Sequence, residues 1–258
     1  MDRAQHALLE QIEAPESASP LTVRFARDEG EVREAQQLRW RVFSEELGAN
    51  LPSGEHGIDR DIFDRHCRHL LVRDERAGRV VGTYRVLAPD AARRIGCYYS
   101  EEAFDLTRLR TIRSSLVEVG RSCIDPAYRR GAVIAMLWAG LARYMIAQRY
   151  AYLAGSASMS LAKGGVAAVY DELSLRNMAP VEFLVHPRHR LPQDHPGMEP
   201  SAVEAPPLIK AYLRAGAWVC GEPAWDEDFN TADFFMLLPI SRLNPRYARH
   251  FLGDARAE

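Results

Sequence analysis

The sequence is poor in lysine, since Lys163 and Lys210 are the sole lysines among 33 cationic residues. A GC-rich coding bias accounts for this and for the abundance of alanine, although arginine also favours forked binding of carboxylate and phosphate. The chain has no basic excess either, because its formal net charge is −2. We therefore expect no nucleic-acid partner.

Long apolar stretches and paired cysteines are also missing. The longest nearly apolar run, residues 131–142, ends at Arg143 and falls short of the ~20 residues that a membrane span requires. The first 20 residues lack the basic start and apolar segment of a secretory signal. The four cysteines are scattered without a CxxC pair, which indicates reduced thiols and neither a disulfide framework nor a metal site. We expect a cytoplasmic protein.

The composition is that of a folded globular protein. Of the 258 residues, 47% are hydrophobic and 26% are charged, and the chain contains neither repeats nor low-complexity segments. We expect a flexible tail at residues 1–20 and a single domain at residues 21–252.

Hydrophobic patterning predicts alternating strands and helices. Strands are expected at 21–27, 69–73, 79–88, 116–124, 150–155, 217–220 and 233–239, and helices at 31–47, 131–148, 166–177 and 208–215. Residues 93–113 are predicted to be irregular apart from a short helix near Glu101, and residues 186–207 to form a surface loop. The order of elements predicts an α/β fold with a mixed twisted β-sheet layered by helices.

One acidic residue lies inside the apolar strand 116–124. Glu118 is costly there unless it faces a cleft or a partner. The segment Tyr128-Arg-Arg-Gly131 follows the strand and leads into a helix, whose free N–H groups and dipole attract phosphate. A base on a strand beside a phosphate-binding helix start suits transfer from a phosphopantetheine thioester. The alternative is that Glu118 merely pairs with Arg85 or Arg121.

The segment Tyr128-Arg-Arg-Gly131 resembles the acyl-donor loop of the GNAT superfamily of N-acyltransferases. A wider set of motifs resembles the ornithine lipid N-acyltransferase family, also labelled hemolysin-like, which is similar to acyl-homoserine lactone synthases. The motifs are Leu38-Arg-Trp-Arg-Val-Phe43 with Glu46, Asp59-x-Asp61-x-Phe-Asp64, Cys67-x-His69-Leu-Leu-Val72, Val81-Gly-Thr-Tyr-Arg85, Glu118-Val-Gly-Arg-Ser-Cys123 and Ala232-Asp-Phe-Phe235.

This resemblance implies a GNAT-like fold and a specific reaction. A 3-hydroxyacyl chain would pass from acyl carrier protein to the α-amine of L-ornithine, giving lyso-ornithine lipid. The acyl-phosphopantetheine thioester is then a donor substrate, and no cofactor stays bound. GNAT donor loops usually carry a second small residue after the first glycine, whereas Val133 and Ile134 stand near that place. We take this as support for acyl carrier protein over coenzyme A.

Candidate roles follow from this chemistry. Glu118 is the candidate general base, directly or through one water, and backbone N–H groups of residues 120–122 are candidate oxyanion donors. Direct attack needs no covalent acyl-enzyme, and Cys123 has no evident histidine partner, so we interpret it as a buried structural residue. The candidate donor-binding residues are Ser122, Cys123, Arg129, Arg130, Gly131 and Ala132.

The acceptor side needs groups of both signs. A carboxylate of the acceptor calls for an arginine fork, for which the candidates are Arg41, Arg85 and Arg121. Its second ammonium calls for carboxylates, and the candidates are Asp59, Asp61 and Asp64. A solvated acidic loop, or ion pairs with Arg60 and Arg65, is the alternative for these three.

Two partners are expected from this interpretation. Acidic acyl carrier protein would meet a local basic face made by Arg129, Arg130, Arg143 and Arg149, and a lipid product would bring transient contact with the inner membrane. The alternatives are an N-acyl amino acid synthase or acyl-homoserine lactone synthase with a different amine, a non-catalytic carrier-protein binding module, and a membrane-lytic protein, for which no inserting element is visible.

Overall fold

The structure is a computed structural model that describes residues 20–51, 57–201, 203–245 and 247. The expected tail at residues 1–20 lies outside these ranges except for its last residue, and so do residues 248–252 of the expected domain. Both boundaries therefore stay predictions.

A mixed β-sheet forms the centre of the described part. Its strands are β1 (Leu21–Phe25), β2 (Arg68–Asp74), β3 (Arg79–Leu87), β5 (Leu116–Ile124), β6 (Tyr152–Ser160), β8 (Trp218–Val219), β9 (Ala224–Asp226) and β10 (Thr231–Pro239). They are ordered β1-β2-β3-β5-β6-β10-β8, and β9 pairs with β10. The β5–β6 pair is parallel and the others are antiparallel. Two short strands, β4 (Phe104–Asp105) and β7 (His186–Pro187), pair separately.

Helices cover both faces of the sheet. They are α1 (Glu29–Trp40), which continues into a π-helical turn at Arg41–Glu46, α2 (Pro89–Ile95), α3 (Ala132–Ala147), α4 (Val166–Asn177) and α5 (Pro207–Ala215). The side chain of Asp28 accepts a hydrogen bond from the backbone of Glu31 and so begins α1. Helix α1 packs on β3 and β5, whereas α3 packs on β1, β2 and β3. No helix of the described ranges combines the length and apolar character that crossing a bilayer would take.

The two faces of the sheet differ in what covers them. Paired residues of neighbouring strands share a face, and the face under α3 carries a large apolar cluster that includes Leu70, Tyr84 and Val119. On the opposite face, one apolar cluster lies under α1 and another under α2 and the turns that follow it. Glu118, opposite Leu87, lies on this second face. Polar residues gather there between the two apolar clusters.

The sheet splits between its two parallel strands. Pairing of β5 with β6 ends at Glu118 and Ala154, while β5 stays paired with β3 and β6 with β10. The β3–β5 register shifts near Arg121, whose φ of 49° marks a bulge. At the apex of the split, a Cβ on Gly155 would lie 2.3 Å from the carbonyl oxygen of Val119. The remainder of β5 thus has one free edge toward β6.

The prediction of an α/β fold with a mixed sheet layered by helices is confirmed, and the strand at 116–124 and the helix at 166–177 have the predicted bounds. The structure differs from the prediction at α2, a helix that was not predicted because seven residues are too few to show a clear helical period of hydrophobic residues. Strand β6 extends to Ser160 instead of ending near Gly155, because small polar residues alternate there with buried Ala157 and Met159. Strand β9 has only three residues and was not predicted.

Replacing Gly155 by alanine should destabilise the protein. The new methyl group would collide with a backbone carbonyl that no side-chain rotation can move, so we expect a loss of about 1–3 kcal/mol in the free energy of unfolding. Urea unfolding measures it. The matched control is Gly120→Ala on β5, where a Cβ has no heavy atom within 4 Å; an equal loss in both variants would contradict the predicted close approach.

Candidate active site

A cleft of about 1280 Å³ opens beside the split in the sheet. One wall is the first part of α1 with the loop 60–65, and the opposite wall is the turn after β9. Tyr99 and Arg121 line the cleft between these walls. The acidic residues that line it are Asp28, Glu29, Asp61, Asp64, Glu102, Asp226 and Asp228.

A buried ion network forms one wall of this cleft. Arg39, on the buried side of α1, lies 2.6 Å from Oδ1 of Asp64 and 2.8 Å from Oδ2 of Asp59, and it also donates to the carbonyl of Asp59. Arg85, on β3, lies 3.1 Å from the other Asp64 oxygen and 2.5 Å from Asp61. Asp64 therefore links a helix and a strand through two guanidinium groups.

The electrostatics of this network keep Asp64 and Arg85 charged. Burial opposes ionisation of Asp64, but the charges of Arg39 and Arg85 outweigh it and hold the pKa of that carboxyl well below its usual range. Burial likewise opposes the charge of Arg85, and the charges of Asp61 and Asp64 with the hydrogen bond to Asp61 raise its pKa. Burial lowers the pKa of His69, whose Nε2 lies 3.1 Å from the Asp64 carbonyl oxygen. Asp64 and Arg85 therefore stay charged, beside a histidine whose burial favours its neutral form.

The loop that supplies the aspartates is folded by its own side chains. Oδ1 of Asp61 accepts the backbone N–H groups of Phe63 and Asp64, at 2.8 and 3.2 Å. Oδ2 of Asp64 in turn accepts the N–H of Asp61 at 3.1 Å. These reciprocal bonds make a tight turn, which is a common use of aspartate. The D-x-D-x-x-D spacing is thus the spacing of a turn that directs its carboxylates toward arginines.

Arg121 is held less tightly than the other two arginines. Its guanidinium lies 3.8 Å from the nearest oxygens of Asp59 and Asp61, which exceeds hydrogen-bonding distance. It stacks between the rings of Tyr99 and Phe229, at 5.5 and 5.1 Å from their centres. Arg121 therefore presents a positioned guanidinium at the wall of the cleft.

Glu118 is 5% exposed and bound by a turn of backbone. Its carboxylate accepts the N–H of Tyr99 at 2.7 Å and the N–H of Ser100 at 2.8 Å, and the side chain of Ser100 also favours the ionised form. Burial nevertheless raises the pKa of Glu118, against these hydrogen bonds and the charge of Arg85. Among the described ion pairs, none joins Glu118 to Arg85 or Arg121, so the simple pairing alternative does not hold.

A small cavity of about 10 Å³ adjoins Glu118. Phe63, Cys67 and Tyr99 line both this cavity and the large cleft, and the rings of Phe63 and Tyr99 meet edge to face at 5.5 Å. About 10–15 Å³ is the space that one water molecule requires. The geometry thus suits a one-water connection between Glu118 and the cleft.

The expected donor loop lies where the split in the sheet meets α3. Gly131 precedes the helix with a φ of 97°, and no side chain caps the helix start. Arg129 forms a bidentate ion pair with Glu46, at 2.5 and 2.6 Å, and donates to the carbonyl of Ile124. Arg130 and Ala132 are exposed. The N–H groups of the first helical turn thus remain open to an anion.

The structure brings most of the candidate residues together. Six of them surround the small cavity or the adjoining wall of the cleft: Asp59, Asp61, Asp64, Arg85, Glu118 and Arg121. Arg41 lies apart, exposed on the π-helical turn. Burial raises the pKa of Cys123 to about 12, and its side chain packs in the apolar cluster under α1. Ser122 lies by the hydroxyl of Tyr84. The binding roles of all these residues stay predictions.

Sequence reasoning missed Arg39, Tyr99 and Ser100. Arg39 could have been predicted, because it shares the buried helical face of Ala35 and Leu38, whereas Arg41 is exposed on the turn that follows the helix. Nothing in the local pattern marks Tyr99 or Ser100, because their contact with Glu118 joins residues 18 or 19 positions apart. Across the described part, no three His, Cys, Asp or Glu side chains are arranged to hold a metal ion.

The fold and site define a class of enzyme. A profile of the Acetyltransferase (GNAT) domain matches residues 38–139. The AHL synthase LasI aligns with a TM-score of 0.55 at 15% identity, over 93% of this chain and 99% of its own. The CoA-dependent acyl-homoserine lactone synthase BjaI aligns with a TM-score of 0.52 at 16% identity, over 86% and 81%. At such identities these structures show the fold alone. The chain is an acyltransferase with a GNAT-like fold, as the resemblance implied.

Closer relatives are found by sequence. The L-ornithine N(alpha)-acyltransferase of Rhodobacter capsulatus is 37% identical over 253 residues, which cover 91% of this chain and 96% of that protein. The enzyme of the same name from Brucella abortus is 33% identical, over 91% of this chain and 90% of its own length. This protein belongs to the L-ornithine N(alpha)-acyltransferase family, which confirms the expected family.

Replacing Asp64 by asparagine should strongly destabilise the protein. The change leaves two buried guanidinium groups short of a counter-charge, and breaking a buried ion pair costs about 3–5 kcal/mol. Because the folded-state pKa of Asp64 is depressed, its contribution is present at neutral pH and disappears as the pH falls through that depressed pKa. Thermal or urea unfolding at neutral pH measures the loss.

The matched control is Asp90→Asn, which removes an exposed ion pair with Arg94 one helical turn away. Such pairs contribute about 0.3–0.5 kcal/mol. Similar losses in the two variants would show that the Asp64 network does not fix the structure.

Proposed function

We propose that this enzyme transfers an acyl chain from a thioester to the α-amine of L-ornithine. The observation that carries the proposal is the meeting of a charged cleft with the split in the sheet at Glu118. The acceptor is taken from the relatives, which bear the name L-ornithine N(alpha)-acyltransferase over nearly the whole chain. The product would be a lyso-ornithine lipid.

The donor is proposed to be a 3-hydroxyacyl chain on acyl carrier protein. The free edge of β5 offers backbone partners to the amide groups of a pantetheine arm, and the uncapped start of α3 offers N–H groups to its phosphate. Of the candidate contacts in the loop, Arg130 is exposed and Arg129 is already paired with Glu46. Val133 is buried against Gly82 at this helix start, which leaves less room for the pyrophosphate of coenzyme A than a small residue would.

The acceptor is proposed to bind in the cleft. Arg121 presents a guanidinium that makes no ideal hydrogen bond within the network, so it suits the carboxylate of an amino acid. Among the acidic residues of the cleft, burial and the charge of Asp61 raise the pKa of Glu102. An ammonium group nearby would relieve that unfavourable charge. A zwitterion with a second cation therefore matches the signs of charge in the cleft.

The proposed chemistry is direct attack. The α-ammonium gives a proton to Glu118, directly or through one water in the small cavity, and the freed nitrogen forms a C–N bond with the thioester carbonyl. The raised pKa of Glu118 suits a base that works near neutral pH. Collapse of the intermediate breaks the C–S bond: the thiol leaves with the proton that Glu118 took up, and the new amide nitrogen releases its second surplus proton to solvent. Backbone N–H groups of residues 120–122 are the candidate donors to the oxyanion.

Covalent catalysis by cysteine finds no support at this site. Cys123 lies in the apolar cluster under α1, and burial holds its pKa near 12, so the thiol stays protonated at neutral pH and is a poor nucleophile. We therefore propose a direct transfer from the thioester to the amine, without an acyl-enzyme.

The proposal places the enzyme in the cytoplasm with transient contact to the inner membrane. Its donor is carried by a cytoplasmic protein, and its product is a lipid that partitions into a bilayer. The basic residues around the donor loop would attract acidic acyl carrier protein.

An assay with purified protein tests the function. We expect L-ornithine and a 3-hydroxyacyl carrier-protein thioester to give an N-acyl product, detected by mass spectrometry, and the same chain on coenzyme A to react more slowly. A panel of other amino acids and S-adenosylmethionine completes the test. Product formed solely with S-adenosylmethionine would assign the protein to lactone synthesis, and donor binding without any product would assign it to a binding module.

Replacing Glu118 by glutamine should reduce kcat by about 10²–10⁴-fold, because the base is lost while the shape is kept. Binding of the acyl donor, measured by calorimetry, should change little. Activity within a few-fold of the wild type would remove Glu118 from the role of base.

Replacing Arg121 by glutamine should raise KM for ornithine by about 10–100-fold, because a charge-assisted hydrogen bond is lost. The KM for the donor should stay constant, and steady-state kinetics measures both. Arg108→Gln is the control, since Arg108 is exposed and donates to the carbonyl of Val181 on the surface. An unchanged ornithine KM would exclude Arg121 from acceptor binding.

A further inference from the structure

The carboxylate of Glu118 is held by one short turn. Residues Tyr99–Glu101 form a 3₁₀ turn, and its first two N–H groups donate to the two oxygens of Glu118 at 2.7 and 2.8 Å. The side chain of Ser100 also lies close enough to the carboxylate to favour its ionised form. Ser100 is 3% exposed, so water does not compete for these bonds.

The turn is itself held in place by contacts of Glu101 and Tyr98. Glu101 accepts the N–H of Tyr98 at 2.6 Å and forms a bidentate ion pair with Arg113 at 2.7 and 2.9 Å. The hydroxyl of Tyr98 donates to the carbonyl of Leu116 at 2.7 Å. Leu116 begins the strand that carries Glu118, so the turn is fixed to the same strand whose carboxylate it binds.

Besides the turn that binds it, few charged groups influence the protonation of Glu118. Arg85 faces it from β3, and its charge favours the carboxylate. Four other residues interact with Glu118, three of them electrostatically and Tyr99 through its backbone N–H. They are Cys67, Cys97, Tyr98 and Tyr99. Burial raises the pKa of each of these four groups, that of Cys67 and that of Tyr99 to about 12. They are therefore uncharged near neutral pH, and the protonation of Glu118 depends on burial, Arg85 and the turn.

We propose that Ser100 is the positioning residue of the general base: its hydroxyl and N–H, with the N–H of Tyr99, orient Glu118 and favour its ionised form, and the Glu101–Arg113 pair fixes that turn. The inference rests on the proposed role of Glu118. It explains how a carboxylate in an apolar strand stays able to accept a proton. Hydrogen bonds to the ionised form lower a carboxyl pKa, whereas burial raises it.

The test is the pH profile of kcat/KM for Ser100→Ala. Removing a hydrogen bond to the ionised form should raise the pKa of Glu118, so the acidic limb should move to higher pH by about one unit. The rate on the alkaline plateau should stay within a few-fold of the wild type. At a fixed pH on the limb, the expected loss is about tenfold.

Ser114→Ala is the matched control, because Ser114 is an exposed serine of the same segment; its profile should not move. In a Glu118→Gln background, Ser100→Ala should cause no further loss of rate, since its effect passes through Glu118. If Ser100→Ala does not fold, Glu101→Gln takes its place as the test. This change weakens the Glu101–Arg113 ion pair while Ser100 is kept, and it should shift the acidic limb in the same direction.

An unmoved limb in a folded Ser100→Ala protein, or an equal loss in the Glu118→Gln background, would overturn the inference. A wild type that acylates no amine would instead refute the proposed function, so the two failures are distinct.

Discussion

The carboxylate of Asp64 lies between the guanidinium groups of Arg39 and Arg85, and the arrangement of the site depends on that contact. Arg39 comes from α1 and Arg85 from β3, so a single side chain joins the helix to the sheet. Burial makes the arrangement costly unless every charge is matched. Because the charges match, the loop that carries the aspartates has one stable position, and the wall of the cleft is fixed before any substrate binds.

This network also divides the arginines by role. Arg39 and Arg85 make short ion pairs within the protein, whereas the guanidinium of Arg121 lies 3.8 Å from its nearest carboxylates. Tyr99 and Phe229 hold the Arg121 guanidinium by stacking, which orients it without a hydrogen bond to either carboxylate. The acidic and basic residues of these motifs thus include two arginines that are tightly paired within the protein and one that is not.

The elements that follow from local pattern were predictable, and those made by distant contacts were not. The strand at 116–124 is apolar with a sharp stop at Asp125-Pro126, and its bounds agree with the structure. The aspartate loop was predicted to bind the acceptor, which stays a prediction, and the pairing of Asp59 and Asp64 with Arg39 arises only when the helix packs on the sheet. The turn that binds Glu118 is separated from it by 18 or 19 residues, so no local signal reveals it. The motifs predicted the family, because family membership follows from which residues stand at which positions and not from contacts between distant residues.

In the proposed reaction, the split in the sheet accounts for the position of Glu118. Helix α3 and the segment Tyr128–Gly131 cover one face, and the large cleft opens on the other. In the proposed reaction, a thioester that enters between β5 and β6 meets an amine from the cleft at the plane of the sheet. Glu118 is the last residue of β5 paired with β6, so its carboxylate lies at the apex of the opening. A base further along β5 would lie beyond the register shift, and one before Glu118 would lie within the closed sheet.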